Sequence, residues 1–263
     1  MRPEEFEELG YVVTDGVARL TLNRPEAGNS FSSRLYGELK WGIRAADFDD
    51  AVDIVVVTGV GRSFATGGDL KEVLARIGKD DGGFDMYAFT DNLPWDALRL
   101  CTKPVIAAIN GHCFAGGLIT AAWCDIQVAV ESAQFALSEA KVGMVDAMAP
   151  IVLHGRMPMP KLKYAYLTGK PFSARQAEEW GLITEVVPDG ELDKRVDEII
   201  DEVRGTTPVA HAALKRFLHE LIPTPWDSGG MAAFRSPELR EGLTAFAEKR
   251  PPNFRQSTSR NVP

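Results

Sequence analysis

Residues Val105–Val130 read VIAAINGHCFAGGLITAAWCDIQVAV, and the alternation inside this stretch decides the fold class. Val105–Ile109 is short and apolar at every position, which suits a strand buried on both faces. Asn110–Gly117 interrupts it with Gly111, Gly116 and Gly117, Leu118–Trp123 forms a largely apolar helical segment, and Ile126–Val130 returns to strand-like residues. Strand, glycine turn, helix and strand in succession predict an α/β layered fold.

The same unit stands earlier in the chain. Ile54–Thr58 is a short β-branched run, followed by Arg62-Ser63-Phe64-Ala65-Thr66-Gly67-Gly68-Asp69-Leu70-Lys71, a glycine turn that opens a helix. No sequence-identical repeat accompanies this alternation. Further toward the N-terminus, Tyr11–Val13 and Val17–Leu22 flank Asp15-Gly16, a dipeptide suited to a hairpin turn. After Asn23-Arg24-Pro25, Ser33 is expected to cap a helix whose Leu35, Leu39 and Ile43 share one face. Beyond the quoted stretch the chain turns helical. Ser173–Gln176 fits a capping box with Gly181 as a stop, and Thr207-Pro208 starts another helix. Thr224–Gly230 reads as a linker, with a separate helical piece from Pro237 onward.

With 263 residues and 45% hydrophobic content the chain can bury a full core without disulfides. A net charge of -8 opposes nucleic-acid binding, which draws on clustered Lys and Arg. Cys101, Cys113 and Cys124 lack the CxxC spacing of a zinc site and the even count of a disulfide framework, so they read as reduced thiols packed in a core. No apolar stretch is long enough to span a bilayer and the acidic start is unlike a signal peptide, so the expectation is a cytoplasmic protein without a membrane or metal partner.

Adjacent glycines let backbone amides approach a ligand closely, and a helix N-terminus adds unpaired N–H groups. One such turn is ordinary punctuation between strand and helix. Two of them at the carboxyl ends of buried strands can converge on one ligand oxygen as an oxyanion hole.

SFATGGDLKEV and TKPVIAAINGHCFAGGLITAAWCDI, joined to LTLNRPEAGNSF near the start and FAEKRPPNF near the end, resemble the enoyl-CoA hydratase/isomerase, or crotonase, superfamily from about Val12 to Phe254. The resemblance implies a spiral of ββα units forming two sheets over residues 1–190. A helical C-terminal oligomerisation region, 191–263, would then assemble a homotrimer or a dimer of trimers. It further implies an acyl-CoA thioester as partner, with coenzyme A as the carrier part of the substrate and no covalently bound cofactor. Its two oxyanion amides fall on Gly68 and Gly116. The CoA contacts fall on Thr66, Gly68, Asp69, Leu70 and Lys71, with Arg24 at a phosphate and Phe246 and Lys249 approaching from the C-terminal helix, in many members across a subunit boundary.

The family's two acid/base glutamates carry over unequally. One position falls on Ile119, which has no carboxylate, and the other falls on Glu139. Hydration across a conjugated double bond is usually shared by two carboxylates. A lone Glu139 therefore favours isomerisation of 3-enoyl thioesters or single-carboxylate hydratase-lyase chemistry, as in members acting on hydroxycinnamoyl-CoA esters. Asp146 is the next candidate, either as the acid/base of a hydrolase or as a helix cap. His112, beside the second turn, contacts substrate or fills space, with packing favoured. His154, His211 and His219 are too far apart in sequence to suggest a ligand cluster. Met86, Tyr87, Phe89, Trp95 and Phe114 are candidates for an acyl pocket. Two further readings keep the fold: an acyl-CoA-binding homologue without catalysis, and an RNA-binding homologue that the acidic charge disfavours.

Overall fold

The computed structural model describes residues 1–77, 93–144, 148–221 and 237–254. Asp15-Gly16 folds β1 (Leu9–Thr14) back on β2 (Val17–Leu22), with Thr14 opposite Val17. Both turn residues have positive φ, 47° and 75°, as a tight hairpin loop requires. β2 then pairs in parallel with β3 (Ile54–Gly59), β3 with β5 (Val105–Ile109), β5 with β7 (Ile126–Val130), and β7 with β10 (Glu185–Val187). The order β1-β2-β3-β5-β7-β10 makes β5 an interior strand. It is buried throughout, hence its apolar run without alternation.

A second sheet runs β4-β6-β8-β9, formed by Ser63–Ala65, His112–Phe114, Gln134–Ala136 and Phe172–Ser173. Its first three strands are parallel and β9 is antiparallel to β8. By sequence, Ser63–Ala65 and His112–Phe114 belong to glycine turns; the structure corrects this and makes them strands. Three residues are too few to leave a period-two signature. A long strand in the first sheet, a short one in the second and a helix thus make up each unit, in the ββα spiral that the resemblance implies.

Helix α1 (Ser33–Phe48) buries Leu35, Leu39 and Ile43 as expected, but its cap is Ser32, whose hydroxyl accepts from the Leu35 amide at 2.9 Å. Ser33 is the first helical residue instead. Its amide donates to Glu72 at 2.9 Å and so ties α1 to α2 (Leu70–Ile77). α3 (Trp95–Leu100) precedes β5, and α4 (Gly116–Trp123), the helix of the quoted stretch, is buried along its whole length. α5 (Met148–Leu153), α6 (Met159–Thr168) and α7 (Ala174–Glu179) follow, the last opened by the anticipated capping box between Ser173 and Gln176.

α8 (Leu192–Arg204) places Leu192, Val196, Ile199 and Ile200 in the same apolar cluster as β5. α9 (Pro208–Glu220) begins at Thr207-Pro208 as expected and is anchored by buried Lys215. The Lys215 ammonium lies 2.6 Å from the Asp125 carboxylate and donates to the Lys103 carbonyl at 2.5 Å. α10 (Pro237–Ala247) sets Leu239 and Leu243 against Val73 of α2. The linker expected at Thr224–Gly230 lies outside the described residues. Among the described residues no helix is long and apolar enough to cross a membrane.

Glycines set how closely these layers approach. A Cβ at Gly117 would overlap the carbonyl oxygen of Ala65, so the backbone of α4 rests directly on β4. A Cβ at Gly42 of α1 would meet side-chain atoms alone, the ends of Leu9 and Leu20 at 3.0 Å and the edge of Phe6 at 3.5 Å. Replacing helical Gly by Ala gains about 1 kcal/mol of propensity, which decides the two cases differently. Gly42→Ala should stay within about 1 kcal/mol of the parent in urea unfolding, because flexible side-chain ends can shift. Gly117→Ala should lose at least about 2 kcal/mol, because a backbone carbonyl cannot. Equal stability of the two variants would contradict the direct seating of α4 on β4.

Candidate active site

The three short parallel strands of the second sheet point their carboxyl ends the same way. Ala65 is in register with Cys113, and Phe114 with Ala136. The segments that follow, Thr66-Gly67-Gly68, Ala115-Gly116 and Leu137-Ser138-Glu139, therefore leave neighbouring strands at one edge. Ala115 donates its amide hydrogen to the Ala136 carbonyl at 2.8 Å, which fixes the second segment against the third.

The two glycine turns touch. A Cβ at Gly67, whose φ is +92°, would lie 2.7 Å from the Cβ of Ala115. Phe31 holds the first turn: its amide donates to the Gly67 carbonyl at 2.7 Å, and its carbonyl accepts from the Asp69 amide at 2.8 Å. These bonds use the groups on either side of Gly68 and leave the Gly68 N–H out of the pairing. Gly116 is the first residue of α4, where a helix offers its N–H no internal acceptor. Among the described residues neither the Gly68 nor the Gly116 amide donates a hydrogen bond.

Glu139 opens a 3-10 turn, Glu139–Val142, and is 7% exposed. The other buried carboxylate among the described residues, Glu38, accepts from the amides of Glu7 at 3.0 Å and Glu8 at 2.8 Å and so has a structural task. Ile119 is fully buried in α4 and supplies no second carboxylate to this edge.

Arg24 and Asp69, expected beside CoA, form a clamp with each other. The Arg24 guanidinium lies 3.0 Å from Asp69 and 3.1 Å from Glu8, and it donates to the Ser30 carbonyl at 2.6 Å. Asp69 also caps the start of α2, accepting from the Lys71 amide at 3.1 Å. The clamp binds the loop after β2 to the first glycine turn. Thr66 donates to the Gly28 carbonyl at 3.2 Å, Leu70 packs toward Leu239 and Leu243, and Lys71 is exposed. Buried Asn29 completes the arrangement by donating to the carbonyls of Val60 at 2.9 Å and Ser63 at 2.7 Å.

His112 stacks on Phe114, with ring centroids 5.2 Å apart. It lines a cavity of about 720 Å³ with Asn110, Ser132 and Asp193, at the carboxyl ends of the first sheet. Trp95 is buried in the main apolar cluster and Phe114 is half-buried. Phe246 and Lys249 are exposed near the end of α10, which packs on α2 and the Glu139–Val142 turn of its own chain. A Cβ at Gly242 would overlap the Val142 backbone, so that contact is close. Asp146, Met86, Tyr87 and Phe89 lie outside the described residues. Burial pushes the Cys101 thiol up to about 12 and raises Cys113 and Cys124 as well, leaving all three as unreactive thiols. Among the described residues no cluster of His, Cys, Asp and Glu is arranged to hold a metal.

Tyr36 was not among the residues singled out by sequence. Its phenol is 4% exposed and stacks on Phe31 at 4.4 Å with the rings within 7° of parallel. The hydroxyl lies 2.6 Å from where a Cβ of Gly116 would stand and 4.0 Å from that of Gly68. Three residues beyond an expected helix start, an aromatic reads as core, and nothing local in the sequence sets it apart.

Ala115 has φ +50° and ψ -124°, a conformation that strains any residue with a Cβ. Such strain costs about 1–3 kcal/mol, against about 0.4–1 kcal/mol for the added unfolded-state freedom of glycine. Ala115→Gly should therefore stabilise the protein by about 1 kcal/mol, read as a higher midpoint in thermal unfolding. A lower midpoint would mean that the alanine is unstrained.

The chain as a whole is similar to known proteins. The family model described as enoyl-CoA hydratase/isomerase matches residues 13–257. The chain is 34% identical over 249 residues to the enoyl-CoA hydratase EchA19 of Mycobacterium tuberculosis, covering 89% of this chain and 91% of that one. It is 31% identical over 247 residues to the mitochondrial enoyl-CoA hydratase of Pongo abelii, covering 91% and 83%. A crystal structure of an enoyl-CoA hydratase from Mycobacterium avium subsp. paratuberculosis K-10 superposes with a TM-score of 0.79 at 27% identity, covering 94% of this chain and 98% of that one. The chain belongs to the enoyl-CoA hydratase/isomerase family and is an acyl-CoA-processing enzyme of crotonase fold.

Proposed function

We propose that the enzyme seats a thioester carbonyl oxygen between the amides of Gly68 and Gly116, with Glu139 as the group that moves the proton. The observation that carries this reading is the delivery of both amides and Glu139 to one edge by adjacent parallel strands. Removing a proton beside a thioester puts negative charge on the carbonyl oxygen. Each well-placed donor stabilises that charge by about 3 kcal/mol. The amides are fixed by Phe31 and by the start of α4, so they need no rearrangement when the charge forms.

One carboxylate suffices to take a proton from C2 of a 3-enoyl thioester and return it to C4, which moves the double bond to the 2-position. Ordinary hydration asks for a second group to hold the water, and Ile119 occupies the position where the family resemblance puts it. The reaction class favoured is thus isomerisation or single-carboxylate hydratase-lyase chemistry. Lys71, exposed beside the first turn, is the cation we assign to the CoA moiety, with Arg24 and Asp69 shaping the loop next to it. Exposed Val209, Leu214, Phe217, Leu218 and Leu221 on and just after α9 support assembly as a homotrimer or a dimer of trimers.

Glu139→Gln should retain acyl-CoA binding, measured by calorimetry, and lose turnover of 3-enoyl or hydroxycinnamoyl esters by about 100- to 10,000-fold. Turnover near the parent rate would move the chemistry elsewhere, to Asp146 first. Binding without turnover in the parent itself, over a broad panel of CoA esters, would instead favour a non-catalytic homologue.

At Gly68 two substitutions separate the N–H from the side chain. A Cβ there meets nothing nearer than the Tyr36 hydroxyl at 4.0 Å, so Gly68→Ala should keep most of the activity. Gly68→Pro removes the N–H itself and should lower kcat by about 100-fold or more. A folded proline variant as active as the alanine one would remove Gly68 from the mechanism.

A further inference from the structure

We propose that the Tyr36 hydroxyl is a third hydrogen-bond donor to the thioester oxygen, beside the amides of Gly68 and Gly116. The inference rests on the reading of those two amides as donors given above. Its own basis is the position of the phenol oxygen, 2.6 Å from where a Cβ of Gly116 would stand and 4.0 Å from where one of Gly68 would. The residue at 116 must also lack a side chain for the hydroxyl to stand where it does, since a Cβ would come within 2.6 Å of it.

Phe31 couples the donors. Its backbone brackets Gly68 by bonding to Gly67 and Asp69, and its ring lies flat on the Tyr36 ring at 4.4 Å. The first turn and the phenol are therefore aimed by one residue. No proton leaves the hydroxyl in this scheme: as the C2 proton departs to the base, the O–H shortens its hydrogen bond to the oxygen that gains charge. Hydrogen bonds to charged groups are the stronger kind, so the contribution grows as the enolate forms.

The test uses acetoacetyl-CoA, a 3-ketoacyl thioester whose enolate is stable and absorbs in the near ultraviolet. The parent protein should lower the apparent pKa of the bound ester, and Tyr36→Phe, which keeps the stack on Phe31, should raise it again. The expected change is about 10- to 100-fold in the enolisation constant, with a similar fall in kcat and little change in the affinity for CoA itself. If the parent lowers the pKa and Tyr36→Phe lowers it equally, Tyr36 is only packing and the inference is overturned while the two amides stand. If the parent does not lower it at all, the reading of Gly68 and Gly116 falls, and this inference with it.

A second measurement leaves Tyr36 in place. With the five tyrosines of the chain labelled at 13Cζ and the resonances of the other four assigned through their Phe variants, the Tyr36 resonance should shift when acetoacetyl-CoA binds and stay in place with CoA alone. No shift on saturation would overturn the inference even if Tyr36→Phe failed to fold.

Discussion

Everything at the candidate site depends on how closely two stretches of backbone approach, β4 with its glycine turn on one side and β6 with the start of α4 on the other. Gly117 allows α4 to rest on the Ala65 carbonyl, and Gly67 allows the first turn to meet Ala115. An interior so close-packed has no room for one added methyl group at either place. The approach brings Gly68 and Gly116 together while their amides stay out of the ladder and the helix.

That geometry has a cost, and it is visible locally. Ala115 sits in a conformation better suited to glycine, between an amide tied to Ala136 and the first turn of α4. Strain of this kind persists only where the surrounding bonds over-determine it. Here Phe31, the Arg24–Asp69 clamp and the β6–β8 pairing supply the bonds. A donor set fixed in advance by folding is what the proposed stabilisation of a developing oxyanion requires.

The C-terminal helix extends the same logic to the third segment. α10 bridges α2, which follows the first glycine turn, and the Glu139–Val142 turn, with Gly242 permitting backbone contact at Val142. The segment bearing Glu139 is thus held on two sides, by β8 before it and by α10 over it. On the far side of the fold, the Lys215–Asp125 ion pair anchors α9 to the start of β5, since the same Asp125 carboxylate accepts from the Val105 amide at 2.7 Å. Breaking one partner of such a buried pair is costly, which suits an anchor for a helix whose outer face is apolar and exposed.

The long strands, the first hairpin and several helix starts were legible in the sequence, because each is written in a local pattern: an apolar run, Asp15-Gly16, Ser173 with Gln176, Thr207 with Pro208. Gly68, Gly116 and Glu139, the residues of the proposed site, were picked out by motifs in matching order, and the structure brings their segments to one edge. The short strands β4 and β6 were not, because three residues are below the length at which alternation can be read. The cap fell on Ser32 rather than Ser33 because adjacent serines are equivalent until one hydroxyl finds the Leu35 amide. Tyr36, Asn29 and Lys215 took their parts only from the tertiary structure. A buried phenol beside two glycines, an amide between two loops and a lysine reaching an aspartate are relations between distant segments. Only packing decides which side chain faces which.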